Sequence, residues 1–184
     1  MDAEDVAGDL EKVLFTEEQI DQRLTELAAE IDEYYQGREI LLVGVLNGAV
    51  MVMADLSRKL RTPARMDWMA VSSYGSGTKS SGVVRILKDL ASDIHGEDVL
   101  IVEDIIDSGL TLSWLVANLK SREPRSLRIA TMLRKPEAAK ADVVVDHVGF
   151  DIPNEFVVGY GLDYDQRYRA LPFVGTLAPH VYGG

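Results

Sequence analysis

Glu103, Asp104 and Asp107 lie close together in "VLIVEDIIDSGLTLSWL" (residues 99–115), and Ser108, Gly109, Leu110 and Thr111 follow directly. The two groups suit different chemistry. In "DSGLT", Gly109 permits a tight turn, Ser108 and Thr111 offer hydroxyl donors, and the unpaired amides opening the next helix favour an anion. The carboxylates would repel a phosphate, but they accept hydrogen bonds from sugar hydroxyls and attract a divalent metal. A ribose 5-phosphate satisfies both halves. Its phosphate would sit in "DSGLT" and its 2′ and 3′ hydroxyls against Glu103 and Asp104, with Asp107 near the anomeric side and free for proton transfer. The same spacing also suits a buried strand ending in solvated acids, with Ser108 or Thr111 capping a helix. Two other nucleotide signatures are missing, since "YGSGTKSSG" lacks P-loop spacing and no G-x-G-x-x-G follows a strand.

These residues need a strand that ends and a helix that begins. "DVLIV" is a continuous apolar strand, and Leu112, Leu115, Val116 and Leu119 place one apolar face on the following helix. Upstream, Thr16 opens a capping-box pattern, Ile20, Leu24, Leu27 and Ile31 recur at helical spacing, and Gly37 is a suitable stop. "EILLVGV" is a strand, "LNGA" a turn and "VMVMADLSRKL" a helix. "ARMDWMAVSS" and "VVRILK" form two arms of a hairpin around the Gly/Ser-rich residues 72–82. "SLRIATML", "DVVVDHV" and "FVVGY" supply three further strands. Helices alternating with apolar strands predict an α/β fold whose central sheet is largely parallel and flanked by helices. Ligands of such sheets collect beyond the carboxyl ends of the strands, where both "LNGA" and "EDIIDSGLT" fall.

The length of 184 residues, 47% of them hydrophobic, suits a single domain spanning 1–184. The absence of cysteine excludes disulfides, thiolate catalysis and Cys-based zinc sites, and His95, His147 and His180 have no metal-ligand spacing. The acidic start "MDAEDVAGDLEK" lacks the basic and apolar regions of a signal peptide, and the apolar run "ILLVGVLNGAVMVMA" is too short to span a bilayer. A soluble, cytoplasmic protein that binds neither membrane nor nucleic acid is expected, because a net charge of −11 leaves few cations for a basic face.

From about Thr16 to Pro179 the motifs, in order, resemble the type I phosphoribosyltransferases, specifically those acting on 6-oxopurines. "VLIVEDIIDSGLTL" is similar to their phosphoribosyl-pyrophosphate signature. The resemblance implies a purine salvage enzyme, a pentosyltransferase that moves the 5-phosphoribosyl group from phosphoribosyl pyrophosphate to hypoxanthine or guanine. It would use Mg²⁺, carry a small hood built from the N- and C-terminal segments, and assemble as a homodimer or homotetramer. By the same resemblance Leu46, Asn47 and Gly48 form a pyrophosphate loop with a cis peptide after Leu46, although several relatives have a basic residue where this chain has Asn47. Ser73 and Tyr74 belong to a flexible lid over the sugar, and Arg169 contacts pyrophosphate. Lys135 donates to the 6-oxo group of the purine, the Phe156 ring stacks on the base, and the Val157 backbone meets its edge. Asp163 is a metal-associated acid beside the purine, completing a metal set with Glu103 and Asp104. Asp107 is the general base for purine N7. Tyr164 and Tyr168 are expected to be structural.

Two other classes remain open on the residues alone. One is a regulatory RNA-binding protein on the same fold, which would need the basic face this composition lacks. The other is a non-catalytic nucleotide-binding domain, which could keep "DSGLT" without needing Asp107, Lys135 and Asp163 together.

Overall fold

The structure, a computed structural model, describes residues 4–73 and 84–183. Nine strands and four helices run β1 (Leu10–Phe15), α1 (Glu17–Tyr35), β2 (Ile40–Leu46), α2 (Val50–Lys59), β3 (Ala64–Ser73), β4 (Val84–Lys88), β5 (Asp98–Ile106), α3 (Leu110–Lys120), β6 (Ser126–Arg134), β7 (His147–Asp151), β8 (Val157–Val158), β9 (Val174–Leu177) and α4 (Pro179–Tyr182) among the described residues.

Six strands form the central sheet in the order β4-β3-β2-β5-β6-β7, and every pairing is parallel except the β3–β4 hairpin. The strands are apolar on both sides because the sheet is covered on both. Leu42, Leu100, Val102 and Met132 face α1 and α2, while Leu41, Val43, Val99, Ile101 and Ile129 face α3. Helix α1 starts where its capping box predicts. The Thr16 hydroxyl accepts from the Gln19 amide at 3.3 Å, and the Gln19 side chain accepts from the Thr16 amide at 2.9 Å. It buries Ile20, Leu24, Leu27 and Ile31 and ends at Gln36 and Gly37, both at positive φ.

A second, three-stranded antiparallel sheet, β1-β9-β8, joins the two ends of the chain. The Tyr168 hydroxyl donates to Asp9 at 2.8 Å and ties the loop before β9 to the N-terminal segment. Tyr168 is thus held in a structural contact. The sequence gives little warning of β1, whose half-exposed "LEKVLF" has no clean alternation.

Two strand expectations need correction. "DVVVDHV" is not a strand throughout, since β7 begins at His147 and Val144 is 79% exposed. Asp146 explains the late start. Its carboxylate accepts from the Ile129 amide at 2.9 Å and its own amide donates to the Ile129 carbonyl at 3.0 Å, which closes the edge of β6 before β7 pairs. "FVVGY" contributes only Val157 and Val158, and these join the small sheet, because Gly159 turns the chain away at φ 96°. Residues 74–83, including Tyr74 and most of the expected lid, lie outside the described residues.

Candidate active site

The site lies beyond the carboxyl ends of β2, β5 and β6, and register decides which side chains meet there. Parallel pairing of β5 with β6 sets Ile106 beside Arg134, so Asp107 and Lys135 leave their strands as neighbours. The Lys135 amide donates to the Ile106 carbonyl at 2.9 Å, and its ammonium stands 3.4 Å from the Asp107 carboxylate. Lys135 is only 7% exposed, whereas Asp107 faces solvent. Pro136 then opens a single 3₁₀ turn, Pro136–Ala138, which ends the strand and holds Lys135 at its rim.

Strand alternation separates the two adjacent acids. Asp104 lines a cavity of about 280 Å³ with Asn47, Gly48, Lys135, Phe156, Asp163 and Arg169. Glu103 lines a second cavity of about 160 Å³ with Ser108, Gly109 and Thr111. Ile105 and Asp107 border both, so Asp107 stands where the two compartments adjoin. Burial holds the Glu103 carboxyl well above its usual range, and the nearby Asp104 adds to this. Burial likewise pushes Asp104 up to about 6. The Ile105 amide, donating at 2.7 Å, and the Arg169 charge pull the other way, and Asp163 reinforces the rise.

The second compartment has the form of an anion site. Gly109 takes φ 74° as the N-cap of α3 and provides no side-chain cap. The Leu110 amide makes only a long contact, 3.4 Å, to the Ser108 hydroxyl. The Ser108 carbonyl accepts from the Lys140 and Ala141 amides at 2.9 and 3.2 Å, pinning the loop from the far side. Ser108 is thus at most a weak cap, and the start of the helix remains open to a ligand.

The first compartment is closed by two loops in backbone contact. The Leu46–Asn47 peptide is cis. A Cβ on Gly48 would fall inside the Asp104 carboxylate, and one on Gly161 would collide with the Gly48 carbonyl, so both contacts require glycine. Arg169 pairs with Asp163 at 3.0 Å and donates to the Gly161 carbonyl at 2.5 Å. Asp163 also accepts from the Gln166 amide at 2.9 Å.

Phe156 is 38% exposed at the edge of this compartment, with Val157 buried beside it. Tyr182 of α4 stacks on the Phe156 ring with centroids 4.9 Å apart, and Tyr164 meets it edge-on at 5.7 Å. Tyr182 was not singled out from sequence, because nothing local signals that the last helix returns to residue 156. Leu162 and Ile105 line the same cavity and were also missed, since apolar residues in apolar runs carry no chemical signal. Ser73 ends β3, where its backbone pairs with Val84.

The three expected metal acids do not converge. Among the described residues no group of three or more Asp, Glu or His side chains is arranged to hold an ion. Asp104 and Asp163 share one cavity, and Glu103 opens into the other. Two carboxylates with room for substrate oxygens nevertheless suit Mg²⁺, which keeps waters and is commonly held by one or two carboxylates plus phosphate groups.

A largely parallel sheet with a glycine-capped loop after β5, a second glycine-dependent loop after β2, and a buried lysine after β6 is the arrangement of a phosphoribosyltransferase. The chain belongs to that family: the phosphoribosyl transferase domain model matches residues 14–165. It is 60% identical to the hypoxanthine-guanine phosphoribosyltransferase of Mycobacterium tuberculosis, over 98% of this chain and 92% of that protein. The protein of that name from Bacillus subtilis is 53% identical, over 95% of this chain and 97% of its own length. A solved hypoxanthine phosphoribosyltransferase from Staphylococcus aureus superimposes with a TM-score of 0.94 at 49% identity, covering 97% of each chain.

Proposed function

We infer that this chain is a purine salvage enzyme that transfers the 5-phosphoribosyl group from phosphoribosyl pyrophosphate to hypoxanthine or guanine, giving IMP or GMP and pyrophosphate. The observation that carries the substrate class is the buried Lys135 ammonium beside Asp107, with the Phe156 ring at the border of the same cavity. An ammonium has three donors and no acceptor, so it rewards a 6-oxo group and opposes the 6-amino group of adenine.

The two compartments divide the sugar substrate between them. The 5-phosphate sits on Ser108–Thr111, the ribose hydroxyls meet Glu103 and Asp104 across β5, and the pyrophosphate lies between the Leu46–Gly48 loop and Arg169. Purine N9 attacks the anomeric carbon as its bond to the pyrophosphate oxygen breaks, and the electron pair leaves with pyrophosphate. The N7 proton passes to Asp107, which raises nucleophilicity at N9. Lys135 fixes the 6-oxo group, Phe156 supports one face of the base, and the Val157 backbone reads its edge. Asp104 and Asp163, which share one cavity, would hold Mg²⁺, whose charge would offset that of the departing pyrophosphate. Residues around Ser73 and Tyr74 would cover the sugar and exclude water from a cation-like ribose. The small β1-β9-β8 sheet serves as a hood, and the whole chain acts as one functional unit.

We also propose self-association as a homodimer or homotetramer. The exposed Met66 and Leu87 on the β3–β4 hairpin give apolar surface for such a contact, and sedimentation would measure it. No helix among the described residues is long and apolar enough to cross a membrane. The −11 charge suits small-molecule substrates rather than nucleic acid, and a cytoplasmic location is part of the same proposal. The deciding experiment mixes the protein with phosphoribosyl pyrophosphate and Mg²⁺ and offers each base in turn. Nucleotide should form from hypoxanthine and guanine; its absence with both would end this reading.

A further inference from the structure

Behind the pyrophosphate compartment, the chain passes through Gly159, Tyr160 and Gly161 with φ of 96°, 49° and 99°. The glycines are compelled by contact, since a Cβ on Gly159 would strike the Phe173 carbonyl and one on Gly161 the Gly48 carbonyl. Tyr160 has no such excuse. A residue with a side chain is disfavoured in the left-handed region and keeps it only where its surroundings over-determine it.

Those surroundings are specific. The Tyr160 amide donates to the Leu171 carbonyl at 2.9 Å, and the Gly161 amide to the Arg169 carbonyl at 2.9 Å. The Tyr160 ring is 8% exposed, and its hydroxyl donates to the Asp55 carboxylate at 2.6 Å. Asp55 also pairs with Arg58 on its own helix. Burial, with the bond to Asp55, pushes the phenol far up, so Tyr160 is the donor at any working pH.

The bond links two elements that meet again at the site. Asp55 rides on α2, which begins at Val50 directly after the Asn47–Gly48 loop. Tyr160 adjoins Gly161, whose backbone presses on Gly48, and Asp163 follows two residues later with Arg169 as its partner. Neither Asp55 nor Tyr160 borders the cavity of Asp104 and Lys135. Both face a separate cavity of about 590 Å³ on the far side, with Met51 and Leu171.

We propose that Asp55 and Tyr160 form a latch that sets the spacing between the Asn47–Gly48 loop and the Asp163–Arg169 pair. They are thereby positioning residues for the pyrophosphate half of the substrate. This rests on the reading of that compartment given above. The latch touches no substrate and acts through the backbone contact of Gly161 with Gly48.

Tyr160→Phe keeps the ring and removes only the bond. It should raise KM for phosphoribosyl pyrophosphate, and for pyrophosphate in the reverse reaction, by roughly fivefold to thirtyfold, less than the 10- to 200-fold of one hydrogen bond to a charged acceptor because the bond acts on the loop and not on the substrate. KM for hypoxanthine should stay within twofold. Asp55→Ala should match it, the double variant should be no worse than either single one, and Asp55→Asn, which keeps an acceptor, should recover most of the loss. A merely structural role would move melting temperature and both KM values together. Equal rises in the two KM values, or no change in either, overturn the latch. Arg169→Ala separates the two layers of inference. If it raises KM for pyrophosphate while Tyr160→Phe does not, the latch alone is wrong. If it leaves pyrophosphate affinity unchanged, the compartment is misassigned and the latch falls with it.

Discussion

Replacing Lys135 with methionine fills the space of the buried stem but removes the ammonium, which isolates its part in base choice. In the structure this ammonium has a carboxylate neighbour, Asp107, at 3.4 Å. That is longer than the 2.7–2.9 Å of a good charge-assisted bond, so donor capacity remains for a base. A hydrogen bond from a charged donor is worth about 1.5–3 kcal/mol, so kcat/KM for hypoxanthine and guanine should fall roughly 10- to 200-fold. KM for phosphoribosyl pyrophosphate should change less than this, because Lys135 shares one cavity with the pyrophosphate loop but does not line the compartment of Ser108 and Thr111. In the unaltered protein adenine should be a very poor substrate, because its amino donor would face a buried charged donor. Such mismatches reach about 10⁴ in kcat/KM. The variant should compress that ratio, since its loss falls on the 6-oxopurines alone. Steady-state nucleotide formation with each base would measure all of these. Adenine within tenfold of hypoxanthine in the unaltered protein, or unchanged kcat/KM in the variant, would show that Lys135 does not face the base.

Asp107→Asn should lower kcat by roughly 10²–10⁴, the usual range for a general base, with binding of phosphoribosyl pyrophosphate far less affected; near-normal kcat in single-turnover assays would move proton transfer elsewhere. Excess chelator should abolish turnover and added Mg²⁺ restore it, and full activity without a divalent ion would refute the role given to Asp104 and Asp163. At the opposite end of the sheet, Asp98 is fully buried, which would raise its pKa, but bonds from Arg125 and Ser126 and the charge of Arg38 outweigh this and hold the carboxyl below its usual range. Asp98→Asn should cost about 2 kcal/mol at pH 7, less than the 3–5 of a fully enclosed pair because both arginines are about half exposed to water. A lowered folded pKa gives stability that is complete above the unfolded value near 3.9 and fades as pH falls through the folded one, so denaturation curves of parent and variant should converge in acid. A gap independent of pH would mean that the carboxylate charge is not what stabilises this corner.

Sequence alone determined the local features of this protein. The capping box fixed the start of α1 because both of its hydrogen bonds lie within four residues. The apolar runs of β2 and β5 announced a sheet covered on both faces, and Gly109 announced the turn into α3, because glycine is the residue that enters the left-handed region at no steric cost. What the sequence left undetermined all depends on contacts between distant segments. Asp107 and Lys135 meet only because β5 and β6 pair in one parallel register. Glu103 and Asp104, adjacent in the chain, are divided between two compartments by the pleat of a strand whose faces are defined only once it is packed. The stacking of Tyr182 on Phe156 and the bond from Tyr160 to Asp55 join positions that no period connects. Periodicity reports which face of an element is buried. Register and packing alone decide what that face, or the end of the element, will meet.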